Sequence, residues 1–159
     1  MHNQPTRPGD WMAQIVTQYG NKLFRVAFSM MRDKSDAEDA VQDVFMKLYE
    51  KQPHFESPDH EIAWLIKVTV NLCKNRLRSH WWKRAEPILE THPAQTDEQQ
   101  SIMQTVLELP SRYRIVIHLF YYEGYSTKEI AEITKQKEST VRQQLTRARR
   151  MLKDILEGE

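Results

Sequence analysis

Residues Ser126–Lys153 read STKEIAEITKQKESTVRQQLTRARRMLK, a string that encodes two helices about a tight turn. Ser126-Thr127-Lys128-Glu129 has the form of a capping box, in which the Ser126 hydroxyl accepts the Glu129 amide and the Glu129 carboxylate reaches back. Ile130, Ala131 and Ile133 then give a short helix one apolar face. Beyond Lys135-Gln136-Lys137 the apolar positions resume at Val141, Leu145, Ala148 and Leu152, the i, i+4, i+7, i+11 stripe of a second helix. Ser139, Arg142, Gln143, Thr146, Arg147 and Arg150 face away from that stripe. A basic helix of this build fits a DNA major groove, with arginine and glutamine at base edges and other cations on phosphates. The plainer alternative is an amphipathic helix with a solvated cationic face.

Upstream, helical periodicity is nearly continuous, and four glycines leave little material for hairpins. Trp11 to about Met31 carries Ile15, Tyr19, Leu23, Val26, Ala27 and Met30 on one face. Ser35-Asp36-Ala37-Glu38 has the form of another capping box and opens a helix bearing Ala37, Val41, Val44, Phe45 and Leu48, ended by Pro53. Ser57-Pro58 starts a third, with Ser57 as cap and proline at the first helical position, burying Ile62, Leu65, Ile66, Thr69, Leu72, Cys73 and Leu77. Periodicity fails from Lys83 to Gln100, which reads as a linker, and Leu109-Pro110 restarts it. The expected fold class is all-α: a helical bundle over 1–84, an acidic flexible linker over 85–101, and a helix–turn–helix unit over 102–159.

The net charge of +1 over 159 residues hides strong segregation. Between Asp36 and Glu50 five acids face one base, Lys47; between Glu61 and Arg84 six bases face one acid. From Ala85 to Pro110 every charged side chain is acidic. Blocks of this kind suit several partners of different sign on one chain. One cysteine, Cys73, cannot close an internal disulfide and fits a reducing compartment. Neither a signal-peptide core nor a membrane-length apolar run is visible, so a soluble cytoplasmic protein is expected. The six histidines lack metal-ligand spacing, and no nucleotide-binding glycine loop or nucleophile motif occurs; neither an enzyme nor a cofactor is expected.

These units, in this order, resemble bacterial RNA polymerase sigma factors of the extracytoplasmic-function group from about Trp11 to Leu156. The motifs are Asp36-Ala37-Glu38-Asp39-Ala40-Val41-Gln42-Asp43-Val44-Phe45; then Trp64-Leu65, Asn71-Leu72 and Asn75-Arg76-Leu77-Arg78; then Leu109-Pro110, Glu129-Ile130-Ala131-Glu132-Ile133, Thr140-Val141-Arg142 and Arg147-Ala148-Arg149. The chain departs from the family pattern where the turn holds Lys135 and Gln136 in place of glycine and an aliphatic, and where Ser139 replaces glycine.

The resemblance implies a promoter-specificity subunit that binds, and performs no bond chemistry. Asp36, Asp39, Gln42, Asp43, Phe45 and Leu48 would dock on core RNA polymerase at the clamp coiled coil of its largest subunit, with a further contact at the flap region. Lys67, Asn71, Lys74, Asn75 and Arg78 would meet the −10 element, two mid-helix asparagines being costly enough to ask for a reason. Ser139, Thr140, Arg142, Gln143, Thr146, Arg147 and Arg149 would meet −35 promoter DNA. An anti-sigma factor is an expected partner, and membrane insertion is not expected. Phe55 would wall a base pocket or lid the core, and Trp81-Trp82 would stack on DNA or on the helix end. The rival is a stand-alone helix–turn–helix regulator.

Overall fold

A computed structural model of the chain describes residues 9–80, 102 and 104–158, and all regular structure among them is helical. Helices α1 (Asp10–Met31), α2 (Lys34–Lys51) and α3 (Pro58–His80) build an N-terminal unit. A helical turn at 104–107, α4 (Ser111–Ile117), a π-helical turn (His118–Tyr122), α5 (Thr127–Thr134) and α6 (Glu138–Glu157) build a C-terminal one. The predicted linker over 85–101 and the Trp81-Trp82 pair lie outside the described residues.

Local chemistry sets the helix starts. At α5 both halves of the capping box form: Ser126 Oγ accepts the Glu129 N–H at 3.1 Å and Glu129 Oε1 accepts the Ser126 N–H at 3.0 Å. Ser57 Oγ accepts the His60 N–H at 3.1 Å and starts α3 with Pro58 as its first residue. Helix α2 starts earlier than the Ser35 box: Asp33 is the cap and its carboxylate accepts the Asp36 N–H at 2.8 Å. An aspartate there satisfies an orphan amide and also meets the positive end of the helix dipole.

Helix ends are left-handed at Arg32 (φ 62°), Gln52 (φ 40°) and Lys135 (φ 58°). At Lys135 the departure from glycine therefore carries a real conformational cost, on the order of 1 kcal/mol for an L-residue. Lys135 also lies near Lys74, whose pKa is lowered first by burial and then by Arg78 and Lys135. Lys135→Gly is expected to stabilise the chain by roughly 0.5–1 kcal/mol, the relief of strain exceeding the freedom glycine adds to the unfolded chain. Urea denaturation measures it; an unchanged or lower midpoint would contradict the account.

Helix α1 packs on α2 and α3, burying Leu23, Val26, Val44, Leu48, Leu65 and Ile66 almost completely. Full burial of such a side chain contributes about 1.5–3 kcal/mol. At the edge of this core the Tyr19 hydroxyl donates to buried Glu61 at 2.8 Å. In the C-terminal unit Ile115, Val116 and Leu119 meet Ile130, Ile133, Val141, Leu145 and Ala148.

The two units are packed together, α4 on α1 and α5 on α3. Arg114 is central to the first contact and is 4% exposed. Its Nε donates to Ser29 O at 2.7 Å, and its terminal nitrogens donate to Met30 O and Leu109 O. Ser29 and Met30 belong to the last turn of α1, where carbonyls lack intrahelical donors and the helix dipole is negative. Burial, and then the neighbouring Arg32 cation, push the Arg114 pKa down to about 9, so it stays protonated at neutral pH. Around it, Arg25 lies 3.5 Å from the Glu123 carboxylate and Lys22 Nζ lies 5.3 Å from the Tyr125 ring centre.

Candidate nucleic-acid and protein interfaces

On α2 the expected acidic face exists, but its apolar members are different. Asp39, Gln42, Asp43 and Glu50 are exposed and Asp36 is half-exposed. Phe45 and Leu48, expected beside them as docking anchors, are 8% and 1% exposed and belong to the core. The residue one position further on projects outward in each case: Met46 is 56% exposed and Tyr49 50%. Steps of three and four residues put Asp39, Gln42, Asp43, Met46, Tyr49 and Glu50 on one continuous face. An exposed methionine and tyrosine flanked by acids offer a basic, partly apolar partner both charge and contact area. Asp43 also pairs with Arg76 of α3, a link between helices that composition did not reveal.

On α3, Lys67, Asn71, Lys74, Asn75 and Arg78 share one face, opposite the buried Leu65, Thr69, Leu72 and Cys73. Lys67, Asn75 and Arg78 are exposed, while Asn71 and Lys74 are half-buried. Lys74 is not free: its Nζ donates to Thr134 O at the end of α5, at 2.7 Å. That contact and the packing of α5 on α3 cover part of the face expected to meet the −10 strand. Phe55 stands edge-on to His60 and Trp64, with centroids 5.4 and 5.7 Å away, and so lids the N-terminal end of α3. Cys73 is buried, and burial pushes its thiol pKa up to about 12, which leaves it an inert core residue.

On α6, Ser139, Arg142, Gln143, Thr146, Arg147 and Arg150 are exposed and Thr140 is half-exposed. Glu138, in the first turn, holds Arg142 at 3.1 Å and accepts the Thr127 hydroxyl at 2.7 Å. Arg149 departs from the expected DNA face. Its Nε donates to Tyr121 Oη at 2.6 Å, and its guanidinium sits 5.7 Å from the Phe120 ring centre and 5.6 Å from that of Tyr121. Tyr121 belongs to the π-helical turn and is exposed on the side that meets α6, while Leu119 of the same turn is buried. Between Ile102, the helical turn at 104–107, the π-helical turn and the end of α6 lies an open apolar groove walled by Ile102, Val106, Ile117, Tyr121, Leu152 and Leu156.

Among the described residues no group of three or more histidine, cysteine or acidic side chains is placed to hold a metal ion. No described helix is long and apolar enough to cross a membrane.

Comparison with known proteins matches two family models: Sigma-70 region 2 over residues 15–83, and Sigma-70, region 4 over residues 99–152. The ECF RNA polymerase sigma factor SigM of Bacillus subtilis (strain 168) is 32% identical over 156 residues, covering 89% of this chain and 93% of that protein. The probable RNA polymerase sigma factor RfaY of Xanthomonas campestris pv. campestris is 26% identical over 90% of this chain, but the chain spans only 40% of its length. Among solved structures, the sigma factor RpoE in complex with the anti-sigma factor NepR from Bartonella quintana superposes with a TM-score of 0.79 at 26% identity, covering 94% of this chain and 98% of that one.

Proposed function

Because the chain belongs to the extracytoplasmic-function RNA polymerase sigma factors, we propose that it is a promoter-specificity subunit that joins core polymerase and reads the −35 and −10 elements. The carrying observation is the single polar face of α3, where Lys67, Asn71, Asn75 and Arg78 lie opposite the buried stripe. Asparagine side chains both donate and accept toward base edges, and the flanking cations neutralise phosphate. Extruding a base from the stack costs a few kcal/mol, a sum that such contacts to a displaced strand can offset without nucleotide hydrolysis. The protein's contribution is then binding energy alone.

In the same reading, α6 lies in the −35 major groove with Arg142, Gln143 and Arg147 at bases or phosphates, while Ser139, Thr140 and Thr146 contact the backbone. The acidic face of α2 docks on the polymerase clamp coiled coil through Asp39, Gln42, Asp43, Met46 and Tyr49, and the apolar groove beside Tyr121 takes the flap. Arg149 fixes the wall of that groove. The arrangement with Lys74 on Thr134 is a closed one, and use of the α3 face requires α5 to move away. The RpoE structure holds an anti-sigma factor, and a partner of that kind fits this chain as well. Cytoplasmic action follows from work on polymerase and promoter DNA.

In vitro transcription with core polymerase on a library of promoter fragments tests the reading, and failure to direct initiation from any of them would overturn it. Asn71→Ala with Asn75→Ala is expected to lower open-complex formation, seen as permanganate reactivity around −10, while closed complexes persist. Equal loss of both complexes would make the α3 face a general docking surface instead.

A further inference from the structure

Two glutamines close the turn between α5 and α6. Gln136 is half-buried, and Gln144 is 9% exposed on the inner side of α6. Gln136 Nε2 donates to Gln144 Oε1 at 3.1 Å, and Gln144 Nε2 donates back to Gln136 Oε1 at 2.8 Å. Gln136 Nε2 also reaches Thr134 Oγ1 at 2.9 Å, and that hydroxyl donates to Ile130 O at 2.7 Å. The last turn of α5 is thus tied through a chain of directional bonds to the second turn of α6.

Burying two amides is costly unless both are paired, and a leucine pair would fill the space without that requirement. What an amide pair adds is direction. The apolar contacts of Val141 and Leu145 tolerate a small rotation of α6, because dispersion has no preferred angle, whereas hydrogen bonds weaken steeply off line. With side-chain tips roughly 5–6 Å from a helix axis, a turn of about 15° displaces them by about 1.5 Å. A displacement of that size breaks a bidentate base contact, which needs N···O distances near 2.9 Å.

We infer that Gln136 and Gln144 are positioning residues that fix the rotation of α6 about its axis, and thereby decide which base edges Arg142, Gln143 and Arg147 meet. The inference rests on the reading of α6 as the −35 helix. Neither glutamine touches DNA; they act through their neighbours.

The test uses holoenzyme reconstituted from core polymerase and full-length chain, with binding measured on promoter fragments substituted base by base at −35. Thermal midpoints are recorded for each variant. Gln136→Leu and Gln144→Leu singly are expected to lower the midpoint by several degrees, since the first strands the buried Gln144 amide and the second leaves the half-buried Gln136 carbonyl without its donor. The double variant is expected to regain the parental midpoint, yet to change the order of preferred bases by about tenfold at one or more positions. A merely structural pair would restore both together. Parental base order in a double variant with parental midpoint overturns the inference, and so does binding that weakens evenly across the panel. Should the double variant fail to fold, Gln144→Asn keeps an amide but withdraws it by one methylene, and unchanged base order there overturns the inference equally. If the parent shows no base preference at −35, the DNA reading of α6 fails first, and the positioning role with it.

Discussion

Arg114→Met is expected to separate the two helical units. The guanidinium serves three main-chain carbonyls, and two of them, Ser29 O and Met30 O, belong to α1 of the other unit. Methionine fills much of the same volume but donates nothing. Each stranded carbonyl costs about 1–3 kcal/mol while it stays buried, and separation lets water reach it. Relief of the buried cation's desolvation offsets part of this, so a net loss of about 2–4 kcal/mol at the interface is expected. The other polar links between units among the described residues, Arg25 with Glu123, Lys22 with the Tyr125 ring and Lys74 with Thr134, are partly exposed and weaker. Small-angle scattering reads the outcome: a compact chain of this length has a radius of gyration of about 15 Å, and the variant is expected to exceed that by several ångströms. Arg112→Met, at an exposed neighbour, is expected to leave the profile unchanged. An Arg114→Met profile equal to the parent's would remove Arg114 as the fastening between units.

The acidic face of α2 carries the second large effect. Asp39→Arg with Met46→Asp reverses a charge and deletes the most exposed apolar side chain of that face. Both positions are solvent-exposed, so folding should change by no more than about 0.5 kcal/mol per site. Apolar anchors at interface centres contribute about 2 kcal/mol or more, and juxtaposed like charges cost several. Affinity for core polymerase is therefore expected to fall at least about a hundredfold at moderate salt. Val16→Asp, on exposed α1 surface, is the control and should bind normally. Parental affinity in the double variant would move the docking surface off α2. Asp43 is the poorer target, since its pairing with Arg76 makes any reversal there disturb the α2–α3 contact too.

Features with short-range causes were legible in the sequence. The Ser126–Glu129 box, the Ser57-Pro58 start and the turn at Lys135 each depend on groups within four residues, and each stands where the string put it. The grouping of Lys67, Asn71, Lys74, Asn75 and Arg78 follows from helical repeat alone. So does the acidic side of α2, though not its apolar members. Phe45 and Met46 differ by about 100° of helix rotation, and which one faces inward depends on where α1 and α3 lie. Arg149 joins the expected DNA contacts only through the Arg147-Ala148-Arg149 motif of the resemblance; the π-helical turn whose Tyr121 holds it leaves no mark in the hydrophobic pattern.

The sequence by itself determined an all-helical class, the order of the helices, the starts at Ser57-Pro58 and Ser126 and the segregation of charge, because capping, propensity and amphipathic period act over one or two turns. The start of α2 it misplaced, since the cap is Asp33 and not Ser35. Only the tertiary structure decided what the polar groups in those helices bind. Arg114 meets Ser29 across 85 positions of chain and Lys74 meets Thr134 across 60, and neither cation differs locally from one that faces water. Gln136 and Gln144 are eight positions apart, yet they pair only because the turn at Lys135 folds α6 back over the end of α5. Such partners are chosen by the packing of helices whose apolar faces must be buried together. The hydrophobic pattern sets that requirement without naming which polar atoms the burial will bring into contact.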